Sequence, residues 1–173
     1  MTLDSWLRFT WDVTRLAAIE RPLPTHYRIS RATAEDEKEI RKVISSSFVL
    51  DPTWNAVLHD VSDAVEQRLE DAFSAAEKVV LALRHGTRII GATVVALSNE
   101  TDLHLAPGPC LLIEYRNRGF GTHLLEHALA TIRDAGVMRA TGVAKQGSPA
   151  AKFLYTKFQS ISAPYQFVQL AAA

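Results

Sequence analysis

The chain has 173 residues, of which 47% are hydrophobic, and its 19 basic and 19 acidic residues give a formal net charge of zero. This length suits one domain, the apolar fraction excludes wholesale disorder, and the balanced charge argues against nucleic-acid binding through phosphate neutralisation. Cys110 is the single cysteine, which excludes an intramolecular disulfide and a cysteine-based zinc cluster. No apolar run approaches the roughly 20 residues of a membrane span, and the N-terminus lacks a secretory-signal pattern. We therefore expect a soluble cytoplasmic protein without nucleic-acid or membrane partners.

Residues 1–24 form a segment with its own pattern. Apolar side chains at positions such as 6, 9, 13 and 16 fit the spacing of an amphipathic helix, which Pro22 and Pro24 would end. The sequence thus predicts a helical extension over 1–24, followed by a single domain over 25–173. The extension would pack on the domain or on a second subunit, so that a homodimer is one of two alternatives. Its polar face is mixed in charge, unlike that of a membrane-surface helix.

The elements after residue 24 define the fold class. In chain order we predict a strand at 27–31, a helix opened by a capping box of Thr33 and Asp36, a helix at 62–77, hairpin strands at 78–84 and 89–97, a strand at 110–113, a helix at 121–135 closed by Gly136, a strand at 138–143, a helix at 149–158 and a strand at 164–170. The hairpin requires antiparallel pairing, whereas the strand–helix–strand unit of 110–143 requires a parallel crossover. The sequence therefore predicts an α/β (α+β) fold, a mixed and mostly antiparallel sheet with helices on both faces.

The most informative segment is the glycine turn between the strand at 110–113 and the helix that follows. Glycines permit backbone conformations and a close approach that a Cβ would block, and a helix start offers unpaired N–H groups and a partial positive charge. With two arginines beside it, the turn predicts a site for a phosphate or pyrophosphate. It is not a Walker loop, because Gly-Lys-Ser/Thr is absent, and not a dinucleotide fingerprint, because position 124 is leucine.

The pattern Arg-x-x-Gly-x-Gly in this turn resembles the acyl-CoA pyrophosphate loop of the GNAT superfamily of N-acetyltransferases. The element order over about 27–170 is also similar to that family's. The resemblance implies a GNAT-like acyl-CoA N-acyltransferase fold, with acetyl-CoA as co-substrate and no metal. It implies that the cofactor contacts the strand before the turn and the turn itself, namely Leu111, Leu112, Ile113, Arg116, Asn117, Arg118, Gly119, Phe120, Gly121 and Thr122.

A second part of the resemblance lies in the predicted helix at 149–158. The family pattern Asn-x-x-Ala-x-x-x-Tyr is matched by Ala151 and Tyr155, with Ser148 in place of the asparagine. The resemblance implies that Ser148 and Ala151 contact the cofactor and that Tyr155 protonates the departing CoA thiolate. A phenol with a pKa of about 10 is able to make that transfer. The alternative for Tyr155 is an aromatic side chain packed in the core.

Transfer of an acyl group needs two further roles. The resemblance implies that the backbone N–H of Leu111 polarises the acyl carbonyl. The attacking amine must lose a proton, which a carboxylate usually accepts, and Glu114 is the carboxylate nearest to the loop in sequence. Residues 45–62 are expected to help shape the acceptor pocket. Three polar residues before the strand are further candidates for its lining, although each of them taken singly fits an ordinary surface position better: Glu100, Asp102 and His104.

Two other motifs suggest different chemistry but lack what that chemistry needs. His123 and His127 match the His-x-x-Glu-His pattern of inverted zinc peptidases, yet no Asp or Glu follows Asp134 to serve as the third ligand. Cys110 would suggest a covalent acyl-enzyme, but no neighbour in sequence activates its thiol. We therefore expect solvated or capping histidines, a buried cysteine and no metal.

The sequence thus predicts an enzyme that transfers an acetyl group from acetyl-CoA to a primary amine by direct attack in a ternary complex. Two departures from the family pattern, Ser148 and the Gln159-Ser160 pair where Gly-Phe is usual, keep a second hypothesis open. In that hypothesis the chain is a non-catalytic acyl-CoA-binding or regulatory module. A transferase that uses long-chain acyl donors is a third and weaker alternative.

The zero net charge conceals a segregation of charge along the chain. Residues 32–78 hold 11 acidic and 5 basic residues, whereas residues 135–173 hold four basic residues and no acidic one. The acidic segment contains the predicted acceptor region, and the basic segment flanks the predicted cofactor site. This division favours a cationic side for the phosphates of acyl-CoA and an anionic side that attracts an amine.

Overall fold

The structure is a computed structural model and describes residues 5–19, 21–49, 67, 70, 72–73 and 77–166. The α-helices whose bounds are defined are α1 (Glu37–Val49) and α2 (Phe120–Asp134). The strands are β1 (Trp6–Asp12), β2 (Tyr27–Arg31), β3 (Lys78–His85), β4 (Arg88–Ala96), β5 (Cys110–Leu111), β6 (Arg139–Lys145) and β7 (Ile161–Tyr165). Among the described residues, no helix combines the length and the apolar character that crossing a membrane requires.

The strands form two antiparallel sheets that meet at one residue. One sheet has the order β2-β3-β4-β5, and the other has the order β6-β1-β7. Leu105 joins them, since it bridges antiparallel to Val95 of β4 and parallel to Gly142 of β6. No ladder connects β5 with β6 in the described part of the chain, so that these two strands form the walls of a wedge. The predicted crossover strands, β5 and β6, are therefore not paired with each other in the described residues, and the parallel contact with β6 is made by Leu105, ahead of β5.

The strands β3 and β4 are nearly continuous apolar runs because helices cover both of their faces. Val80 packs in one buried cluster with Ile40 and Ile44 of α1. Its neighbour Val79, whose side chain points to the opposite face of β3, packs in a second cluster with Leu129 of α2. The fold is thus the expected mixed α/β arrangement, with antiparallel sheets and a helix on each face.

Local signals in the sequence set the helix boundaries as predicted. Thr33 and Asp36 form the capping box before α1, in which the Thr33 N–H donates to the Asp36 carboxylate at 2.9 Å. Gly136 follows the end of α2 with a φ of +88°, and its N–H donates to the Arg133 carbonyl at 2.9 Å. A left-handed residue at this place ends a helix by satisfying its last carbonyls.

The N-terminal segment does not form the predicted amphipathic helix. Residues Trp6–Asp12 form β1, which lies between β6 and β7 and pairs antiparallel with both. The helix prediction was wrong because Phe9, Trp11 and Val13 also fit the two-residue period of a strand with one buried face. All three are at most 2% exposed. Residues 6–12 are thus part of the sheet and its core, and the helical face that suggested a homodimer is not formed there.

Two elements near the C-terminus differ in length from the prediction. The predicted helix at 149–158 is a single π-helical turn, Ala150–Leu154, because Phe158 and Gln159 take positive φ values of +60° and turn the chain away. The predicted strand at 164–170 is β7, which ends at Tyr165, and residues 167–170 lie outside the described residues. Of the predicted helix at 62–77, the described residues 67, 70, 72 and 73 are helical.

Candidate active site

The turn between β5 and α2 presents a helix N-terminus that no side chain caps. Gly119 is the N-cap residue, with a φ of +84° that residues with a Cβ rarely adopt. The His123 N–H donates to the Gly119 carbonyl at 3.3 Å. By helix geometry, the N–H groups of Phe120, Gly121 and Thr122 have no partner within the helix and point out of its end. This arrangement suits an anion, as the glycine turn predicted.

The surface around the helix start is unobstructed. A Cβ added to Gly119 would meet no atom within 4 Å, and one added to Gly121 would lie 3.7 Å from Leu154 and 3.9 Å from Leu111, which are ordinary contacts. Packing therefore does not require glycine at position 121. Because its neighbours are Leu111 of β5 and Leu154 of the π-helical turn, Gly121 lies between these two elements, at the mouth of the wedge.

The two arginines of the turn have different surroundings. Arg116 is half-buried, and its guanidinium donates to the Leu111 carbonyl (3.3 Å), the Ser47 carbonyl (3.0 Å) and the Ser47 hydroxyl (3.2 Å). Arg118 is exposed, and its Cζ lies 5.6 Å from the centroid of the Tyr115 ring. Both were predicted as cofactor contacts. Arg118 extends over the surface of the turn, whereas Arg116 is held between β5 and α1.

The backbone N–H of Leu111 faces the open edge of β5. The Leu112 N–H donates to the Ile90 carbonyl at 2.9 Å, and Leu111 is paired in register with Gly91. Because hydrogen-bonded and non-hydrogen-bonded pairs alternate in an antiparallel ladder, the Leu111 N–H and carbonyl point away from β4. An amide in this position is able to donate to a carbonyl oxygen that enters the wedge.

Tyr155 occupies the β6 side of the wedge. Its side chain is 4% exposed, and its ring makes edge contacts with Phe9 and Trp11 of β1, each at a centroid distance of 5.5 Å. The hydroxyl lies against the backbone of Gly108, where an added Cβ would collide with it. Burial, with a smaller contribution from Cys110, raises the pKa of Tyr155. The phenol is therefore protonated throughout the neutral range, as a general acid must be.

Ser148 and Ala151 hold the turn that carries Tyr155. The Ala151 N–H donates to the Ser148 hydroxyl at 3.2 Å, and the Lys152 N–H donates to the Ser148 carbonyl at 3.0 Å. Ser148 and Ala151 are both buried. The serine that replaces the family's asparagine thus caps the π-helical turn.

Cys110 is a buried thiol, as expected. It is 6% exposed, and its thiol donates to the Gly108 carbonyl at 3.3 Å. Burial raises the pKa of Cys110 to about 12, against smaller opposing effects of the Ser47 hydroxyl and Arg116. A thiol that stays protonated at neutral pH is a poor nucleophile.

Glu114 lies at the surface, on the side of the β3–β4 hairpin. Its carboxylate accepts a hydrogen bond from the Arg88 guanidinium at 3.0 Å. A hydrogen bond from its own backbone N–H, together with Arg88, lowers the pKa of Glu114. A carboxylate with a lowered pKa is a weak base, and the structure does not bring Glu114 together with Tyr155.

A cavity of about 550 Å³ lies at the loop before β5 and unites the three residues predicted for the acceptor side. Leu105 belongs to the core under α2, so that its neighbours His104 and Ala106 face the opposite side of the sheet. The described part of the predicted acceptor region, residues 45–49, ends α1, and residues 50–62 lie outside the described residues. The cavity is lined by Lys78, Val94, Ala96, Glu100, Thr101, Asp102, Leu103, His104, Ala106 and Tyr165.

His104 has a structural position in the wall of this cavity. It is 4% exposed, the Thr141 N–H donates to its Nδ1 at 3.1 Å, and its Nε2 lies 3.0 Å from the Ser98 carbonyl. Because Nδ1 accepts a hydrogen bond, the proton is on Nε2 and the ring is neutral. Burial lowers the pKa of His104, which keeps this neutral form at physiological pH.

The histidines of the zinc-peptidase motif have no metal-binding partners in the described part of the chain, where no group of three His, Cys, Asp or Glu side chains could hold an ion. Burial lowers the pKa of His127 on α2. This residue lies half-buried beside the helix core, and His123 lies one turn before it.

Sequence reasoning missed four residues that shape the wedge: Phe9, Trp11, Ser47 and Gly108. The first two were assigned to a helix, and Ser47 was noted only as part of a long connecting region. Gly108 lies in the run Pro107-Gly108-Pro109, which signalled a break before β5. The contact between Gly108 and Tyr155 joins residues 47 positions apart, which no local pattern reveals.

This arrangement, a splayed pair of strands followed by a glycine turn and a helix N-terminus, agrees with the comparison with known families. The sequence profile of the acetyltransferase (GNAT) family matches residues 40–159, more than half of the chain. The chain therefore belongs to the GNAT family of acetyltransferases. No curated protein sequence matches it significantly.

Solved structures share its fold at low sequence identity. A GNAT-family acetyltransferase from Colwellia psychrerythraea is 15% identical with a TM-score of 0.63, and the match covers 94% of this chain and 54% of that protein. A conserved protein of unknown function from Staphylococcus epidermidis is 16% identical with a TM-score of 0.61, over 94% and 59% of the two chains. A GNAT-family acetyltransferase from Brucella melitensis in complex with acetyl-CoA is 24% identical with a TM-score of 0.50, over 65% and 71%. The chain spans only 49–60% of the length of several matched structures.

Proposed function

We propose that the chain is an acyl-CoA-dependent N-acyltransferase that transfers an acetyl group from acetyl-CoA to a primary amine. The observation that carries the proposal is the wedge, which has the outward N–H of Leu111 on one wall and Tyr155 on the other. The uncapped start of α2 lies at its mouth, beside Leu111 and Leu154. The matched Brucella protein, solved with acetyl-CoA, supports acetyl-CoA as the donor.

The geometry supports direct attack in a ternary complex. The pyrophosphate binds the N–H groups of Phe120, Gly121 and Thr122, with Arg118 adding charge at the surface. The pantetheine arm enters the wedge, where the Leu111 N–H donates to the thioester oxygen. The neutral amine nitrogen attacks the carbonyl carbon, the carbon–sulfur bond breaks, and the CoA sulfur takes the proton of the Tyr155 hydroxyl. As the amide forms, the nitrogen releases its remaining excess proton, which returns to the Tyr155 oxygen and restores the phenol.

The cavity beside the loop before β5 supports an amine acceptor. Glu100 and Asp102 are exposed carboxylates in its lining, and a protonated amine in solution is attracted to them. One of these carboxylates, directly or through a water molecule, accepts the proton that the amine must lose before it attacks. His104 does not take this role, because both of its nitrogens are engaged by the backbone.

One observation favours the alternative of a non-catalytic acyl-CoA-binding module. The Ser148 hydroxyl accepts a hydrogen bond from the Ala151 N–H, so that it offers less to a cofactor than the family's asparagine. In that case the protein binds acyl-CoA and releases no free thiol with any amine.

Three measurements test the proposal. Acetyl-CoA at millimolar concentration should raise the Tm, and Arg118→Glu should reduce that shift.

Tyr155→Phe should lower kcat by about 100-fold or more while the CoA Kd changes little, because a general acid acts in the transition state. Tyr27→Phe, which alters a tyrosine stacked on His85 away from the wedge, is the matched control. The absence of any Tm shift would contradict acyl-CoA binding, and binding without thiol release would support the module.

A further inference from the structure

We propose that Arg116 is a positioning residue, which holds the open edge of β5 against the end of α1 and does not bind the phosphates of CoA. This inference rests on the proposed acyltransferase function, in which β5 supplies the N–H that polarises the thioester. It departs from the expectation that the first arginine of the Arg-x-x-Gly-x-Gly turn is a cofactor contact.

The contacts of Arg116 join a backbone group of β5 to a backbone group of α1. The Leu111 carbonyl points away from β4, and it accepts from Arg116 Nε at 3.3 Å. The Ser47 carbonyl of α1 accepts from Arg116 Nη2 at 3.0 Å.

A third contact strengthens the connection between β5 and α1. Arg116 Nη2 also lies 3.2 Å from the Ser47 hydroxyl, and that hydroxyl in turn lies beside the thiol of Cys110 on β5. Ser47 therefore contacts β5 at Cys110 and, through the guanidinium, at Leu111. The arginine is half-buried, and three of the five N–H donors of its guanidinium are accounted for by these contacts within the protein.

This connection bears on the chemistry through the geometry of residue 111. In an extended strand the N–H and the carbonyl of one residue point to the same side. A guanidinium that fixes the Leu111 carbonyl thus limits the rotation of the peptide units on either side of Leu111, and it holds the N–H aimed into the wedge. Donors that stabilise a developing oxyanion act through such pre-alignment, so the effect of Arg116 falls on the chemical step.

The proposal predicts a specific pattern among substitutions. Arg116→Gln should lower kcat by about 10-fold or more and leave the CoA Kd within about 3-fold, because alignment and not phosphate binding is lost. Arg116→Lys should not restore kcat, since a single ammonium does not replace a planar fork that spans two acceptors. Arg118→Gln is the matched comparison, and it should raise the CoA Kd, with Arg118→Lys restoring much of the affinity.

The decisive experiment combines these kinetics with calorimetric CoA titration and amide hydrogen exchange. Exchange at 110–112 and at the end of α1 should quicken in Arg116→Gln, whereas exchange in the middle of α2 should not change. Two results would overturn the inference. One is a CoA Kd that rises 10-fold or more in Arg116→Gln, with kcat intact and the affinity restored in Arg116→Lys. The other is amide exchange at 110–112 equal to that of the unaltered protein. If the unaltered protein binds no CoA, the proposed function fails, and the exchange result still decides whether Arg116 holds β5 to α1.

Discussion

The two walls of the wedge are held in place in different ways. The β5 wall is a strand of two residues, Cys110–Leu111, held by its ladder with β4 and by the hydrogen bonds of Arg116 to α1. The β6 wall is seven residues long and pairs over its whole length with β1, which also supplies the aromatic rings around Tyr155. One wall thus depends on a few polar contacts, and the other depends on a ladder and on buried aromatic packing.

This difference predicts which substitutions should change stability and which should change catalysis. Packing of large buried side chains contributes several kcal/mol, whereas a single hydrogen bond contributes about 1 kcal/mol net. Loss of a buried ring in the β6 wall should therefore mainly lower the free energy of unfolding, whereas loss of the Tyr155 hydroxyl alone should mainly lower kcat. Changes in the β5 wall should leave the fold intact and alter the alignment of the Leu111 amide.

The largest expected effect comes from the aromatic packing of the β6 wall. Trp11→Ala should lower the free energy of unfolding by about 3–5 kcal/mol, since it removes a fully buried ring and the indole hydrogen bond to the Lys157 carbonyl (2.8 Å). Trp6→Ala on the same strand, where the side chain is only partly buried, is the matched control. Urea unfolding measures both, and equal costs at the two positions would contradict the assignment of Trp11 to the core of this wall.

The next effect tests the contact between the walls. Gly108→Ala should destabilise the protein by about 1–3 kcal/mol, because the new methyl group collides with the Tyr155 hydroxyl. Tyr155→Phe removes the colliding oxygen, so the two substitutions should be non-additive in a double-mutant cycle followed by thermal unfolding. Gly121→Ala, whose added methyl has ordinary contacts, should leave the Tm unchanged. Additive costs at 108 and 155 would show that the hydroxyl does not lie against Gly108.

A smaller effect concerns the joint where the two sheets meet, which His104 holds through Thr141 and Ser98. Burial lowers the pKa of His104 below its ordinary value of 6.5, so the unfolded chain binds the proton more readily than the folded one. Stability from this group is complete above pH 6.5 and is lost as the pH falls from 6.5 toward the lower folded-state value. The slope is at most about 1.4 kcal/mol per pH unit.

The control for this pH dependence is a histidine at the surface. His104→Gln should flatten the fall in stability just below pH 6.5, whereas His26→Gln at an exposed position should not. Urea unfolding at several pH values measures the slope. A slope that is unchanged in His104→Gln would assign the pH dependence to another group.

The smallest effect is expected at Glu114, which faces solvent and pairs with the exposed Arg88. Exposed ion pairs contribute little to stability. Glu114→Gln should change the Tm by less than about 1 °C and kcat by less than about 3-fold, because this carboxylate lies away from Tyr155. Asp102→Asn in the acceptor cavity should lower kcat/KM for the amine more strongly. A large loss of kcat in Glu114→Gln would restore Glu114 as the general base.

Much of the fold could be predicted because its signals are local. The capping box at Thr33, the alternating runs of the β3–β4 hairpin and the glycine at position 136 each act within a few residues. The glycine turn before α2 belongs to this group too, since a glycine N-cap and the open N–H groups of a helix depend only on neighbouring residues. The family resemblance of that turn was confirmed by the match over residues 40–159.

Local patterns were enough to predict the α/β class, the order of elements from residue 27 onward and the position of the glycine turn. Residues 6–12 fit the period of a helix and also that of a strand, and they are a strand because they form ladders with β6 and β7, more than 120 positions away. The contacts of Arg116 also depend on residues far away in the chain. Its charge and the motif predicted a contact with phosphate, whereas its guanidinium donates to the Ser47 carbonyl, 69 positions earlier. Hydrogen-bond partners and burial depend on long-range packing, and these alone determine which polar groups remain available to a ligand.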